Sequence, residues 1–276
     1  MKTLRDAVYG LAVADALGVP VEFSYRGTFQ VTDMTGYGTY HQPPGTWSDD
    51  TSMTLATCFS IRRKGGIDLS DIMECFRAWE SEGKFTADGV MFDIGNTTSM
   101  AISQGFGLTD ISSNGNGSLM RIIPLAFVPN ATDEQIRQVS ALTHGHLISK
   151  EACVIYVGIA RKLLAGMSVT EAVRESVPDD RLEVFERLPV IHQLPEEDIK
   201  SSGYVVDTLE AAVWALATTK SYEECVLKAV NLGHDTDTVG AVAGALAGIL
   251  YGYGAIPARW METLRNKPLI EECLFA

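Results

Sequence analysis

Thr238-Val-Gly-Ala-Val-Ala-Gly-Ala-Leu-Ala-Gly-Ile-Leu-Tyr-Gly252 carries no charge, and its glycines stand at 240, 244, 248 and 252. A four-residue spacing is close to one helical turn, so these glycines share one face of a helix predicted over 238–251. Each glycine in a helix interior costs roughly 1 kcal/mol against alanine, so four of them require a packing reason. A bare face lets a neighbouring backbone approach closely, which predicts a central helix with others packed tightly on it. The uncharged stretch from Val239 to Ala258 is long enough to raise a membrane span. Its glycine and alanine content, Pro257 and the scarcity of large apolar residues favour a buried core helix instead.

Working outward, the same period recurs. Tyr204, Val205, Leu209, Ala212, Val213, Leu216 and Ala217 follow helical spacing across 203–218. Similar patterns predict helices near 2–16, 50–63, 69–80, 132–143, 148–165, 169–177 and 222–231. Strand signals are thin: Thr28 to Tyr40 suits either a short hairpin or a loop. The stretch 178–202, with Pro178, Pro189, Pro195 and paired acids, is the most loop-like. No repeat, low-complexity tract or long polar linker divides the chain. The expectation is an all-α, compact multi-helix bundle forming a single domain over 1–276.

Of the 276 residues 46% are hydrophobic and 21% charged, so a sizeable buried core is expected. A formal charge of −13 repels phosphate backbones and argues against a nucleic-acid surface. It does not bar a small anion, because helix N-termini or a bound cation reverse the local field. Five scattered cysteines without a C-x-x-C pair fit a reducing cytosol rather than a disulfide framework. Near the N-terminus, Asp6 and Asp15 interrupt the apolar run after Lys2 and Arg5, which predicts an amphipathic helix, not a leader. Nothing in the sequence specifies an oligomeric state.

Chemistry concentrates at two acidic helix starts. Ser48-Asp49-Asp50-Thr51 precedes one apolar helix, and Gly233-His234-Asp235-Thr236-Asp237-Thr238 precedes another. Ser, Thr and Asp are ordinary N-caps, and acid in a first turn offsets the helix dipole. A cap needs one oxygen, however, and Ser48, Asp49 and Asp50 offer three in a row. Asp235 and Asp237, two apart, aim the same way in an extended segment and lead into the least polar helix. Buried unpaired carboxylates are costly, and hard divalent cations prefer such oxygens. Joined around one pair of ions, the two starts account for all four carboxylates.

The chain resembles the ADP-ribosylglycohydrolase family, whose fold is an orthogonal all-α bundle. Five segments carry the resemblance, in the family's order: Gly10 to Glu22, Trp47 to Thr51, Gly115-Asn116-Gly117-Ser118-Leu-Met120-Arg121 with Pro124-Leu125, Thr143-His144, and Gly233 to Thr238. Ala14 stands where the family usually has glycine. The resemblance implies that Ser48, Asp49, Asp50, Asp235, Asp237 and Thr238 hold two Mg²⁺ or Mn²⁺ ions. It further implies that Glu22, Asp50 or Asp237 handles a proton, and that Gly115, Asn116, Gly117, Ser118, Met120 and His144 cradle ADP-ribose, the diphosphate on the backbone N–H groups of 115–118. The partner would be the ADP-ribose moiety of a modified protein, arginine-linked foremost, or of a small molecule such as O-acetyl-ADP-ribose. Dinuclear phosphoesterase chemistry and non-catalytic ADP-ribose binding are the alternatives. Asp15 reads as a buried support, His146 as a loop or capping histidine, and Arg121 as a structural cation pairing with a core carboxylate. His234 approaches the site or packs aside. Loops 25–45 and 104–114 are the expected leaving-group side.

Overall fold

The computed structural model describes residues 2–180 and 182–276, and no β-sheet forms among them. The described residues form twelve α-helices: α1 (Leu4–Gly18), α2 (Asp49–Lys64), α3 (Leu69–Glu82), α4 (Asn96–Gln104), α5 (Asp133–Ser140), α6 (Leu147–Leu164), α7 (Val169–Ser176), α8 (Val205–Ala217), α9 (Tyr222–Val230), α10 (Thr236–Tyr251), α11 (Ala258–Thr263) and α12 (Lys267–Cys273). The stretch from 28 to 40 is a loop ending in a 3₁₀ turn at Gly38–Tyr40, and 178–202 holds three more such turns. Among the described residues no helix is long and apolar enough to cross a membrane.

The predicted central helix is α10, buried from Thr236 to Ile249. Its glycine face meets α1 backbone to backbone. A β-carbon on Gly240 would lie 3.0 Å from the Ala14 carbonyl oxygen; one on Gly244 would collide with the Gly10 carbonyl, and one on Gly248 with that of Asp6. The pairing 240 with 14, 244 with 10 and 248 with 6 makes the two helices antiparallel. Gly252 departs from expectation: it ends α10 at φ +95° instead of extending the face.

The antiparallel register sets the chemistry's address. Gly18, at the end of α1, packs against the backbone of Thr236 and Asp237 at the start of α10. Thr236 Oγ1 donates to the Gly18 carbonyl at 2.8 Å. The 3₁₀ turn Val19–Val21 therefore delivers Glu22 to the first turn of α10. The start of α2 is brought to the same place by Asp15 of α1. This fully buried carboxylate accepts from Ser48 N at 3.0 Å, Thr51 N at 3.1 Å and Thr51 Oγ1 at 2.5 Å. It thus supplies from outside the helix the acceptors that α2's first N–H groups lack.

Candidate functional site

Ser48 caps α2, accepting from Asp50 N at 3.3 Å and donating from Oγ to Asp50 Oδ2 at 3.1 Å. Thr238 Oγ1, from the start of α10, donates to that same Asp50 oxygen at 3.3 Å. The two acidic helix starts, far apart in sequence, are therefore joined at one carboxylate. Asp235 sits just before α10 and accepts from Asn116 Nδ2 at 2.8 Å, which ties the ligand-side turn to the acids. Asn116 is itself held by Thr208 Oγ1 at 2.9 Å and by the Gly203 carbonyl, which accepts from its N–H at 3.0 Å.

A cavity of about 440 Å³ opens over these groups, lined among others by Glu22, Asp49, Asp93, Asn116, His144 and Asp235. Gly115, Gly117, Met120 and Thr238 also face it. Ser118 does not line it: the residue is fully buried, and its hydroxyl lies among Cys153 Sγ and Ser140 Oγ. Residues 115–118 form a turn, not a helix start, and the N–H of Asn116 is already used by Gly203. A third helix start, free of acid, faces the cavity from α4: Gly95, Asn96, Thr97 and Thr98 line it, and no side chain caps that end.

The electrostatics are one-sided. Burial first, then the neighbouring acids Asp93, Asp50, Asp15 and Glu22, raise the Asp49 carboxyl well above its ordinary range. Asp50 and Asp237 are likewise pushed up, chiefly by burial. Glu22 rises to about 9, from burial and then the charge of Asp93. Asp15 rises only to about 6, because Thr51 and Ser48 donate to its ionised form. Glu22 Oε2, Asp50 Oδ1, Asp235 Oδ1 and Asp237 Oδ2 are buried without any hydrogen-bond partner among the described residues. Orphaned buried acceptors on carboxyls that raise one another's pKa fit a divalent cation, which prefers hard oxygen donors and would offset their crowding.

Asp93 is the residue that sequence reasoning passed over. Its carboxylate oxygen, one of Glu22 and one of Asp237 all lie within 4.8 Å of one another. The Tyr40 phenol stands beside the Glu22 and Asp93 carboxyls, and its ring packs 5.2 Å from that of Phe92. A signal was present: Asp93-Ile-Gly-Asn-Thr-Thr is a third acid placed just before a polar helix start. Gly203, against Asp235 and Asn116, left no such signal.

Other singled-out residues also find their places. His146 caps α6 through Nδ1, which accepts from Ile148 N at 3.2 Å. His234, at φ +61°, packs edge-on against Tyr25 with centroids 5.6 Å apart and does not line the cavity. Among the described residues Arg121 pairs with no carboxylate. It is fully buried, lies 4.7 Å from the Phe76 ring centre and donates to Thr143 Oγ1 at 2.6 Å.

A family model described as ADP-ribosylglycohydrolase matches residues 2–276. The chain is 34% identical to the ADP-ribosylarginine hydrolase of Serratia proteamaculans, covering 94% of this chain and 74% of that protein. It is also 34% identical to the ADP-ribosyl-[dinitrogen reductase] glycohydrolase of Rhodospirillum rubrum, over 95% and 90% respectively. A solved structure described as an ADP-ribosylglycohydrolase-related protein complex superposes with a TM-score of 0.81 at 34% identity, covering 97% of this chain and 93% of that one.

Proposed function

The chain belongs to the ADP-ribosylglycohydrolase family, and from that premise we propose that it is a divalent-cation-dependent hydrolase that cleaves the ribose C1″ bond of an ADP-ribosylated arginine side chain. Membership makes it a glycosidic hydrolase. The carrying observation for metal dependence is the set of four buried carboxylate oxygens without partners, on Glu22, Asp50, Asp235 and Asp237. Ser48, Asp49, Asp50, Asp235, Asp237 and Thr238 would hold two ions, Mg²⁺ or Mn²⁺. When bound, such ions orient ribose hydroxyls and lower the pKa of a water.

The protein's own groups account for the rest. Asn116, fixed by Thr208 and Gly203, and His144 face the ADP-ribose. The diphosphate lies against the uncapped start of α4 instead of residues 115–118, because free N–H groups and the dipole end face the cavity there. Glu22 and Asp93 stand on the leaving-group side, where the Asp93 carboxylate, ionised above about pH 6, and the Tyr40 ring suit a planar cation. That favours guanidinium over an uncharged serine or acetyl leaving group. As the C1″ bond breaks, positive charge grows on the ribose, and ionised carboxylates around it stabilise that charge. Glu22 exchanges the proton between attacking water and departing nitrogen.

The test incubates the protein with Mg²⁺ or Mn²⁺ and arginine-, serine- and acetyl-linked ADP-ribose, following ADP-ribose release. Release from the arginine linkage alone, abolished by chelator and by Asp49→Ala or Asp235→Ala, is expected. Faster release from the acetyl ester would overturn the substrate assignment, and full activity in chelator would overturn the metal.

A further inference from the structure

Arg121 is the most expensive side chain outside the acidic cluster: a fully buried guanidinium with no carboxylate, whose Nε and Nη1 find no acceptor among the described residues. Burial draws its pKa down to about 10, so it remains a cation at neutral pH. Unpaired buried cations are strongly disfavoured, and a chain that keeps one needs a use for it.

Its one described hydrogen bond shows where that use lies. Arginine only donates, so Thr143 Oγ1 must accept from Arg121 Nη2 at 2.6 Å. The same hydroxyl lies 2.8 Å from His144 Nδ1. Thr143 is fully buried, and Nδ1 is the acceptor the described residues offer its proton. With Nδ1 accepting, the ring hydrogen of the neutral imidazole has to sit on Nε2. The Nε2 edge is turned to the cavity. It lies 3.4 Å from where a β-carbon of either Gly115 or Gly117 would stand, and Cε1 lies 2.9 Å from that of Gly117. No protein acceptor takes the Nε2 hydrogen among the described residues. The positive charge of Arg121, added to burial, also holds the imidazole pKa down to about 3, so no second proton arrives at working pH.

We propose that Arg121 is a positioning residue which, through Thr143, fixes His144 as a permanent neutral Nε2–H donor aimed at an acceptor oxygen of the ligand. This rests on the reading that the cavity takes ADP-ribose. The glycines at 115 and 117 complete the device, since a side chain at either position would meet the imidazole edge that must stay open.

The experiment is nitrogen NMR of histidine-labelled protein in the absence of ligand, with His144 assigned by the signal lost in His144→Gln. It is paired with calorimetric titration of ADP-ribose into each variant. The wild type should show a protonated Nε2 and a bare Nδ1. Thr143→Val and Arg121→Met should mix the tautomers and weaken ADP-ribose about tenfold, the scale of one lost hydrogen bond. Thr143→Ser, which keeps the hydroxyl, should restore both. A wild-type ring protonated at Nδ1 overturns the proposal, and because that spectrum needs no variant, a misfolded mutant does not shield it. Unchanged affinity in a tautomer-mixed Thr143→Val also overturns it. A wild type with the expected tautomer but no ADP-ribose binding upholds the relay and overturns the functional reading.

Discussion

Asp15 supports, from outside the proposed ligand set, the place of three candidate metal ligands, Ser48, Asp49 and Asp50, because three donors at the start of α2 converge on it. Asp15→Asn offers those donors one oxygen and one hydrogen-bearing nitrogen. It is expected to cost about 2 kcal/mol in urea unfolding, the range for an unmet buried donor, and to weaken Mn²⁺ binding roughly tenfold as the ligands lose their support. Unchanged Mn²⁺ affinity in calorimetry would show that Asp15 acts on stability alone. Asp93→Asn should lower kcat/KM for an arginine-linked substrate about 10- to 100-fold, the scale of a lost hydrogen bond to a charged group, while ADP-ribose itself binds as before. Equal losses in both would place Asp93 on the ADP-ribose side. At this scale the acids at 48–50 and 235–238 were legible because they adjoin apolar helices. Asp93 was not, since a loop residue at φ +55° reaches the cluster only through tertiary structure. Ser118 was misread because a serine in a glycine-rich turn looks the same whether it faces a ligand or the core.

Helices with a long apolar stripe were readable to within a few residues, α2, α3, α6, α7, α8, α9 and α10 among them. The α4 helix escaped because its nine residues are mostly polar and bury only Thr98, Ala101 and Ile102, too few to show a period. The short α11 and α12 escaped for the same reason. The glycine face of α10 announced a close neighbour but not its identity, although α1 carries the matching small residues Gly10, Ala14 and Gly18. Gly244→Ala would drive a methyl into the Gly10 carbonyl and Ala14. Backbone on both sides cannot yield, so about 2–4 kcal/mol of stability should be lost, the upper range for overpacking. Gly66→Ala, which meets nothing within 4 Å, is the control and should be near neutral or better. Equal unfolding midpoints for the two variants would contradict the close contact.

Across the whole molecule, a formal charge of −13 and a core of facing carboxylates set how stability responds to pH. A carboxylate whose folded pKa is raised binds its proton more tightly folded than unfolded, so folding is opposed increasingly as pH rises from the unfolded value through the folded one. With Asp15 and Asp93 near 6 and Glu22 near 9, the cation-free protein should lose stability from about pH 4 to 9. Saturating Mg²⁺ should therefore raise the Tm, and by more at pH 8 than at pH 5.5, because the ion competes with those protons. A Tm unmoved by Mg²⁺ at pH 8 in scanning calorimetry would refute the cation site. The antiparallel contact of α1 with α10 also has a consequence in time. The two helices lie more than 200 residues apart, so on the ribosome α1 waits for its partner until residues 236–251 have been made. The last carboxylates arrive with the partner that buries it. Docking of α10 on α1 thus closes the core and, in the same event, brings Asp235 and Asp237 to the carboxylates that precede them in the chain.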